Sequence, residues 1–172
     1  MPSPDKMSEL VSVFEKLGVS NPESFARSQL NEGIPQLSMV FFLYRAFHSL
    51  VREGDHKWIR GLTHSPRANP CGAALERILD RGTDLNDLVT FAKCAQRELL
   101  VDLIYIIDDA TAVHFDDEDV RRSLTPIHWR LFQVDRNGAP IVALDGLHEL
   151  LGEFDGPKND GRSARDVNPD DH

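Results

Sequence analysis

Apolar residues recur at intervals of three and four along most of the chain, with glycine, proline and polar residues between the runs. This spacing places apolar side chains on one face of an α-helix and predicts helices over 5–17, 22–33, 35–53, 70–82 and 85–109. Asn21-Pro22 and Asn69-Pro70 each combine an N-cap residue with proline at the first helical position. The pattern therefore predicts a mainly α-helical protein.

The helix over 85–109 is the longest of these and the most apolar. Its apolar residues, from Leu88 and Val89 to Ile106 and Ile107, cover more of its circumference than a surface helix needs. At about 1.5 Å per residue it is long enough to span a domain of this size. We therefore expect it to be the central helix of a bundle of five or six.

The hydrophobic pattern changes after Pro126. Two short apolar runs flank Asp135-Arg136-Asn137-Gly138, which is typical of a β-hairpin, and Pro140 indicates an edge strand. A short closing helix capped by Asp145 is expected next. Residues 153–172 contain few large apolar side chains and predict a disordered acidic tail, so the chain is expected to form one helical domain over 1–152.

Composition places the chain among ordinary globular proteins, but its charge is unevenly distributed. It has 172 residues, of which 41% are hydrophobic and 27% charged, and its net charge is -9. The acidic excess lies in 108–119 and in 153–172, which disfavours binding to nucleic acid or to anionic membranes and favours a basic protein partner. The expected partner-binding residues are Asp109, Asp116, Asp117 and Asp119. The alternative is that these acids only provide solubility and helix capping.

The N-terminus has no apolar run that would serve as a signal peptide, and the longest apolar stretch, interrupted by Asp102, is too short to span a membrane. Cys71 and Cys94 are too few for a disulfide framework and lack the close spacing of redox or zinc sites. A cytoplasmic protein in a reducing compartment is the expectation. The sequence does not predict an oligomeric state.

Motifs for nucleotide binding, for serine hydrolases and for zinc proteases are absent from the sequence. We accordingly predict no catalytic residue, no cofactor and no metal site. Three weaker candidates have structural alternatives. The run 116–119 resembles a cation site but is better interpreted as acids at a helix N-terminus. Cys71 lies near a helix start, where it could act as a nucleophile; the alternative is that this position simply holds a small residue. His148 and Glu149 could act together in acid–base chemistry; the alternative is that both are solvated side chains at a helix start.

Two polar stripes are the most informative pattern for a binding site. The helix over 35–53 carries a basic stripe of Ser38, Arg45, Ser49 and Arg52 with His48 at its margin, and the helix over 85–109 carries an acidic stripe of Glu98, Asp102, Tyr105 and Asp109. If these helices face each other, the stripes pair and frame a polar pocket. Otherwise both are solvent faces. The predicted ligand-binding residues are Arg45, His48, Arg52, Glu98 and Asp102.

The sequence supports two hypotheses for function, from different classes. The first is a non-enzymatic interaction protein, such as an adaptor, a regulator or an immunity-type inhibitor, that presents an acidic surface to a basic partner. The second is a small enzyme or ligand-binding domain with its pocket between the helices over 35–53 and 85–109.

Overall fold

The computed structural model describes residues 4–64, 70–109, 118–124 and 129–154. The described elements, in chain order, are α1 (Pro4–Lys16), α2 (Pro22–Asn31), α3 (Gln36–Phe47), α4 (Lys57–Thr63), α5 (Pro70–Leu79), α6 (Leu85–Asp108), α7 (Glu118–Leu124), β1 (Phe132–Val134), β2 (Pro140–Ala143), a 3-10 helix (Leu147–Leu150) and α8 (Leu151–Phe154). The strands form a two-stranded antiparallel sheet. The predicted fold class, mainly helical with one C-terminal hairpin, is confirmed.

The chain divides into two compact units. Unit 1 contains residues 1–48 and 100–159, and unit 2 contains 49–99 together with 160–172; the structure describes both in part. Helix α6 contributes its residues up to Leu99 to unit 2 and the remainder to unit 1. A single domain over 1–152 stays a prediction.

Unit 1 is organised around a core of eleven buried apolar residues: Phe14, Val19, Ala26, Met39, Val40, Leu43, Ile104, Leu144, Leu147, Leu151 and Phe154. Helix α1 packs against α2, and α3 packs against α2, the 3-10 helix and α8. Asn21 begins α2 as the sequence predicts, since its side-chain oxygen accepts the Ser24 N–H at 3.2 Å. The core thus joins helices from both ends of the chain.

The core of unit 1 continues past residue 153, where the sequence predicts that the tail begins. Phe154 is only 4% exposed, and its ring stacks on that of Phe47 with centroids 5.7 Å apart. Glu153 accepts hydrogen bonds from the Ser20 N–H at 2.6 Å and from its hydroxyl at 2.8 Å. The helical spacing of Leu147, Leu150, Leu151 and Phe154 explains why the folded body continues to 154. Residues 155–172 lie outside the described residues.

Unit 2 has a much smaller core in its described residues. Helix α4 packs against α5, and the buried cluster consists of Ile59, Leu75 and Val89. Val51, Trp58, Leu62, Leu79 and Leu88 pack around it and are only partly buried. The Val51 N–H donates to the Gln96 side chain at 2.8 Å, which attaches the segment after α3 to α6.

Helix α6 is the longest helix of the described structure, as the sequence predicts, but few of its residues are buried. Val89 and Ile104 are its only buried residues, whereas Phe91 is 73% exposed, Leu99 59% and Ile106 52%. Apolar periodicity establishes that a segment is helical and apolar, but it does not reveal how many sides other elements cover. The wide apolar surface of α6 therefore remains partly exposed in the described structure.

The hairpin forms where Asn137-Gly138 predicts it. Strand β1 pairs with β2 from Phe132 opposite Ala143 to Val134 opposite Pro140, with a register irregularity between Gln133 and Val134. Gly138 has a φ of 83°, a left-handed conformation that glycine adopts without steric cost.

The closing segment begins differently from the prediction. Asp145 does not cap it: the cap position belongs to Gly146, which has a φ of 81°, and the Asp145 carboxylate lies 3.8 Å from the Arg130 guanidinium. The side chain that caps the first turn is Asp108, which comes from the end of α6 and accepts the His148 N–H. Sequence neighbours of a helix start cannot reveal a cap from so far along the chain.

Candidate functional site

The predicted basic stripe does not form, because α3 ends at Phe47 rather than near residue 53. Arg52 lies beyond the helix in an irregular segment, so Arg45 and Arg52 are not two turns apart on one helical face. This part of the prediction is wrong. The N–H of Val51 bonds to Gln96 and is not available to extend α3.

The charged stripe residues that do lie within α3 or α6 are exposed. Arg45 on α3 and Glu98 and Asp102 on α6 all face solvent. These positions favour the alternative in which both stripes are solvent faces. Their role in ligand binding stays a prediction.

His48, the remaining predicted ligand residue, takes part in local structure at the end of α3. Its ring stacks on Tyr44 with centroids 3.9 Å apart, and its Nδ1 lies 2.9 Å from the Tyr44 carbonyl oxygen. A histidine that bonds one of the last carbonyls of a helix stabilises the helix end.

The predicted partner-binding acids divide between described and undescribed positions. Asp109 and Asp119 are exposed, while Asp116 and Asp117 lie outside the described residues. Helix α7 begins at Glu118, so Glu118 and Asp119 occupy its first turn, where acids complement the helix dipole. Asp119 also forms an exposed ion pair with Arg122 at 3.6 Å.

A buried carboxylate lies where α6 ends, and the sequence reasoning missed it. The Asp108 side chain is 3% exposed, and its Oδ2 accepts the His148 backbone N–H at 2.6 Å and the Nδ1–H of the same ring at 2.8 Å. Because Oδ2 serves as the acceptor for both contacts, His148 carries its proton on Nδ1 and leaves Nε2 for other partners. The Asp108 Oδ1 is buried and has no partner among the described residues.

Two aromatic side chains lie at the same end of α6. The Tyr105 ring lies 5.4 Å from the His148 ring, and the Trp129 indole N–H donates to the Ile106 carbonyl oxygen at 2.7 Å. That carbonyl is in the last turn of α6, where backbone acceptors lack helical partners. Trp129 therefore satisfies a helix end while its side chain remains 42% exposed.

The sequence carries one signal for Asp108. Asp108 follows the fully buried Ile104 by four residues, so both lie on the face of α6 that turns toward the core of unit 1. The acidic residues after it lead instead to an interpretation of Asp108 as one member of a solvated run. His148-Glu149 likewise looks like a surface pair until Asp108 is placed beside it.

What the Asp108–His148 pair offers chemically is an imidazole held in one orientation. A carboxylate bound to one ring nitrogen sets the tautomer and leaves the other nitrogen as an acceptor, or as a donor once the ring is protonated. His148 is 40% exposed, so a second molecule can reach it. Among described residues no group of three or more His, Cys, Asp or Glu side chains is arranged to hold a metal ion.

Cys71 is the second residue of α5, as predicted, and both Cys71 and Cys94 are exposed and outside any disulfide. His56 lies within 3.2 Å of the Asn86 side-chain oxygen, and His64 is an exposed residue at the end of α4.

No helix in the described part of the chain has the length and apolar character needed to cross a membrane. Comparison with known proteins gives no match: no family model matches the chain, and no curated protein or solved structure is significantly similar to it.

Proposed function

We propose that this chain is a protein–protein interaction module that binds a basic, partly apolar segment of a partner protein. Its binding site is the α6-end surface, which consists of Tyr105, Ile106, Trp129 and His148. The observation that carries the proposal is the exposure of large side chains there: Tyr105 is 51% exposed, Ile106 52% and Trp129 42%. Exposed apolar side chains that lie together mark interaction sites more often than isolated ones do.

The α6-end surface is also held in place before any partner binds. Trp129 is anchored through its indole N–H, and His148 is anchored through both its backbone and its ring. Side chains that are already ordered lose little conformational entropy on binding. Tryptophan and tyrosine are, moreover, the residue types that most often dominate binding energy at interfaces.

Charge favours a basic partner over a second copy of this chain. Asp102 and Asp109 are exposed and lie on the same face of α6 as Tyr105 and Ile106, at positions three and four residues away. A symmetric dimer through this face would bring acidic residues toward acidic residues, which is unfavourable, whereas lysine or arginine on a partner would be attracted. The net charge of -9 acts in the same direction.

The experiment is selection of a random displayed peptide library on the purified full-length chain. We expect the selected peptides to combine lysine or arginine with large apolar residues. Binding of the best synthetic peptide should weaken about tenfold or more in Tyr105→Ala/Ile106→Ala, since hot-spot truncations cost at least about 1–2 kcal/mol. The matched control, Val134→Ala/Ile141→Ala, also removes two exposed apolar side chains and should leave binding unchanged.

A second pair of variants tests the charge. Asp102→Asn/Asp109→Asn should slow association and flatten its salt dependence, while Glu23→Gln/Asp80→Asn, which removes two exposed acids elsewhere, should change neither. Selected peptides without basic residues, or peptides that bind the Tyr105→Ala/Ile106→Ala variant as well as the native chain, would contradict the proposal.

A further inference from the structure

The β-hairpin has an inner face that is attached to unit 1 and an outer face that is exposed. Val142 packs against the core of unit 1, and the Ser38 hydroxyl donates to Gln133 Oε1 at 2.6 Å. Side chains alternate along a strand, so Phe132 and Val134 lie on the opposite face, where they are 44% and 51% exposed. The inner face therefore holds the hairpin in place and leaves the outer face accessible.

The backbone of β1 also has an open edge. The Leu131 carbonyl oxygen accepts an N–H from the other strand at 2.8 Å, and the Asp135 N–H donates across the hairpin at 2.9 Å. Backbone groups in an antiparallel pair point alternately toward and away from the partner strand, so those of Phe132 and Val134 point away from β2. No other group in the described part of the chain bonds to them. These N–H and C=O groups can pair with another strand.

The edge of β2 is protected against such pairing, whereas the edge of β1 is not. Gln133 pairs with Val142 and Val134 with Pro140, so Ile141 is an extra residue of β2 that has no partner on β1. Proline, which lacks an N–H, and a bulged extra residue are both features by which native edge strands avoid pairing with another strand. Strand β1 contains neither feature, so it is the edge on which a further strand fits.

Charge favours a second copy of this chain as the source of that strand. The charged residues between 129 and 145 are Arg130, Asp135, Arg136 and Asp145, and their charges cancel, although the whole chain carries -9. Two hairpin edges therefore do not repel each other as two α6-end surfaces would. Antiparallel pairing of identical strands also fits the twofold symmetry of a dimer, because each copy donates and accepts the same bonds.

We infer that β1 pairs antiparallel with β1 of a second copy and forms a four-stranded sheet across a dimer. Phe132 and Val134 each provide one N–H and one C=O, so placing Phe132 of one copy opposite Val134 of the other forms about four hydrogen bonds. Such a small interface is typical of transient association, with a Kd of about 0.1–1 mM. This edge shares no residue with the α6-end surface, so the dimer is independent of the proposed function.

The experiment is a dilution series of the isotope-labelled full-length chain from about 1 mM to about 20 μM, followed by NMR and by sedimentation velocity. The sedimentation coefficient should rise with concentration toward that of a dimer. The Phe132 and Val134 amides should shift and exchange more slowly with solvent as the dimer forms, while the Ile141 and Ala143 amides on β2 should not change. A chain that stays monomeric throughout the series, or a dimer in which the Val134 amide is not protected, would overturn the proposal.

Variants distinguish pairing at the β1 edge from packing of the outer faces. Val134→Pro removes an N–H that points away from β2 and should raise the dimer Kd about tenfold or more. Val134→Lys places a charge on the same edge, keeps the N–H, and should weaken the dimer similarly even if the proline variant does not fold.

The matched control is Ile141→Lys, which places the same charge on β2 of the same hairpin. It should leave the dimer Kd within about twofold of the native value, because Ile141 does not lie on the pairing edge. Loss of the dimer in Ile141→Lys, or an unchanged Kd in Val134→Lys, would overturn pairing through β1.

Discussion

Units 1 and 2 differ in how much apolar side chain each buries. The described part of unit 1 has eleven buried core residues, whereas that of unit 2 has three. Since full burial of one large apolar side chain contributes about 1.5–3 kcal/mol, the core of unit 1 provides several times more stabilisation. Segments with few buried contacts open more easily than the rest of a protein. The comparison therefore predicts that unit 2 opens before unit 1.

Polar contacts reinforce the difference. In unit 1, Ser20 bonds to Glu153 and Ser38 to Gln133, which lie 133 and 95 positions apart along the chain. In unit 2, the Val51 N–H bonds to Gln96, 45 positions away. Unit 1 is thus the part on which a binding surface and an open strand edge can be held in fixed geometry, as preorganised sites require.

The largest expected effect comes from the core of unit 1. Leu43 is 0% exposed, so Leu43→Ala should lower the free energy of unfolding by about 3 kcal/mol or more, because it removes buried methyl groups and leaves a cavity. Urea denaturation followed by circular dichroism measures the loss. Ile141→Ala, at a position 59% exposed, should change the same quantity by less than about 0.5 kcal/mol. Similar losses in both variants would show that Leu43 is not in a packed core.

The next effect concerns the buried carboxylate that ends α6. Asp108→Ala should lower the free energy of unfolding by about 2 kcal/mol, because the His148 N–H loses its acceptor. The hydrogen of the His148 backbone amide should exchange with solvent faster than in the native chain. Asp102→Ala, at an exposed position on the same helix, is the control and should alter neither measurement appreciably. A His148 amide that is equally protected in both variants would mean that Asp108 does not hold this turn.

Sequence patterns predict the helices and the hairpin because their signals are local. Asn21-Pro22 begins α2 and Asn137-Gly138 turns the hairpin, since each acts within a few residues. The Asp108–His148 contact joins residues 40 positions apart, so no local pattern contains it. Ser28 and Gln36 likewise come together only when α2 packs against α3. Periodicity also marks Phe91 and Ile106 as apolar without showing that they remain exposed.

A smaller substitution in unit 2 tests which unit opens first. Val89 is 1% exposed, and Val89→Ala should cost about 1.5 kcal/mol, the transfer free energy of two methylene equivalents. Hydrogen exchange should accelerate in α4 and α5 and stay unchanged in α1, α2 and α3. Equally faster hydrogen exchange in α1, α2 and α3 would show that the two units open together. The expectation that unit 2 opens before unit 1 would then be wrong.

The smallest expected effect is a pH dependence in the turn of the hairpin, where residues 135–139 are all exposed. The Ala139 N–H, followed by the Asn137 N–H, donates to the Asp135 carboxylate at 2.9 and 2.8 Å and holds the pKa of that group below its ordinary value of 3.8. A carboxyl whose pKa is lower in the folded state stabilises that state above its unfolded pKa, and this contribution disappears as the pH falls through the folded value.

An NMR titration that follows the Asp135 carboxyl carbon should therefore give a midpoint below 3.8, with the Asn137 and Ala139 amides shifting at the same pH. Asp135→Asn keeps an acceptor oxygen but removes the titration, so it should abolish these amide shifts. Asp102→Asn removes an exposed carboxyl that is not part of the hairpin and should leave them unchanged. A midpoint at or above the ordinary value would mean that the turn does not hold the carboxylate in solution. In that case the Asn137-Gly138 backbone alone, rather than Asp135, would determine where the strands reverse, because glycine accommodates the positive φ of Gly138 without help from a side chain.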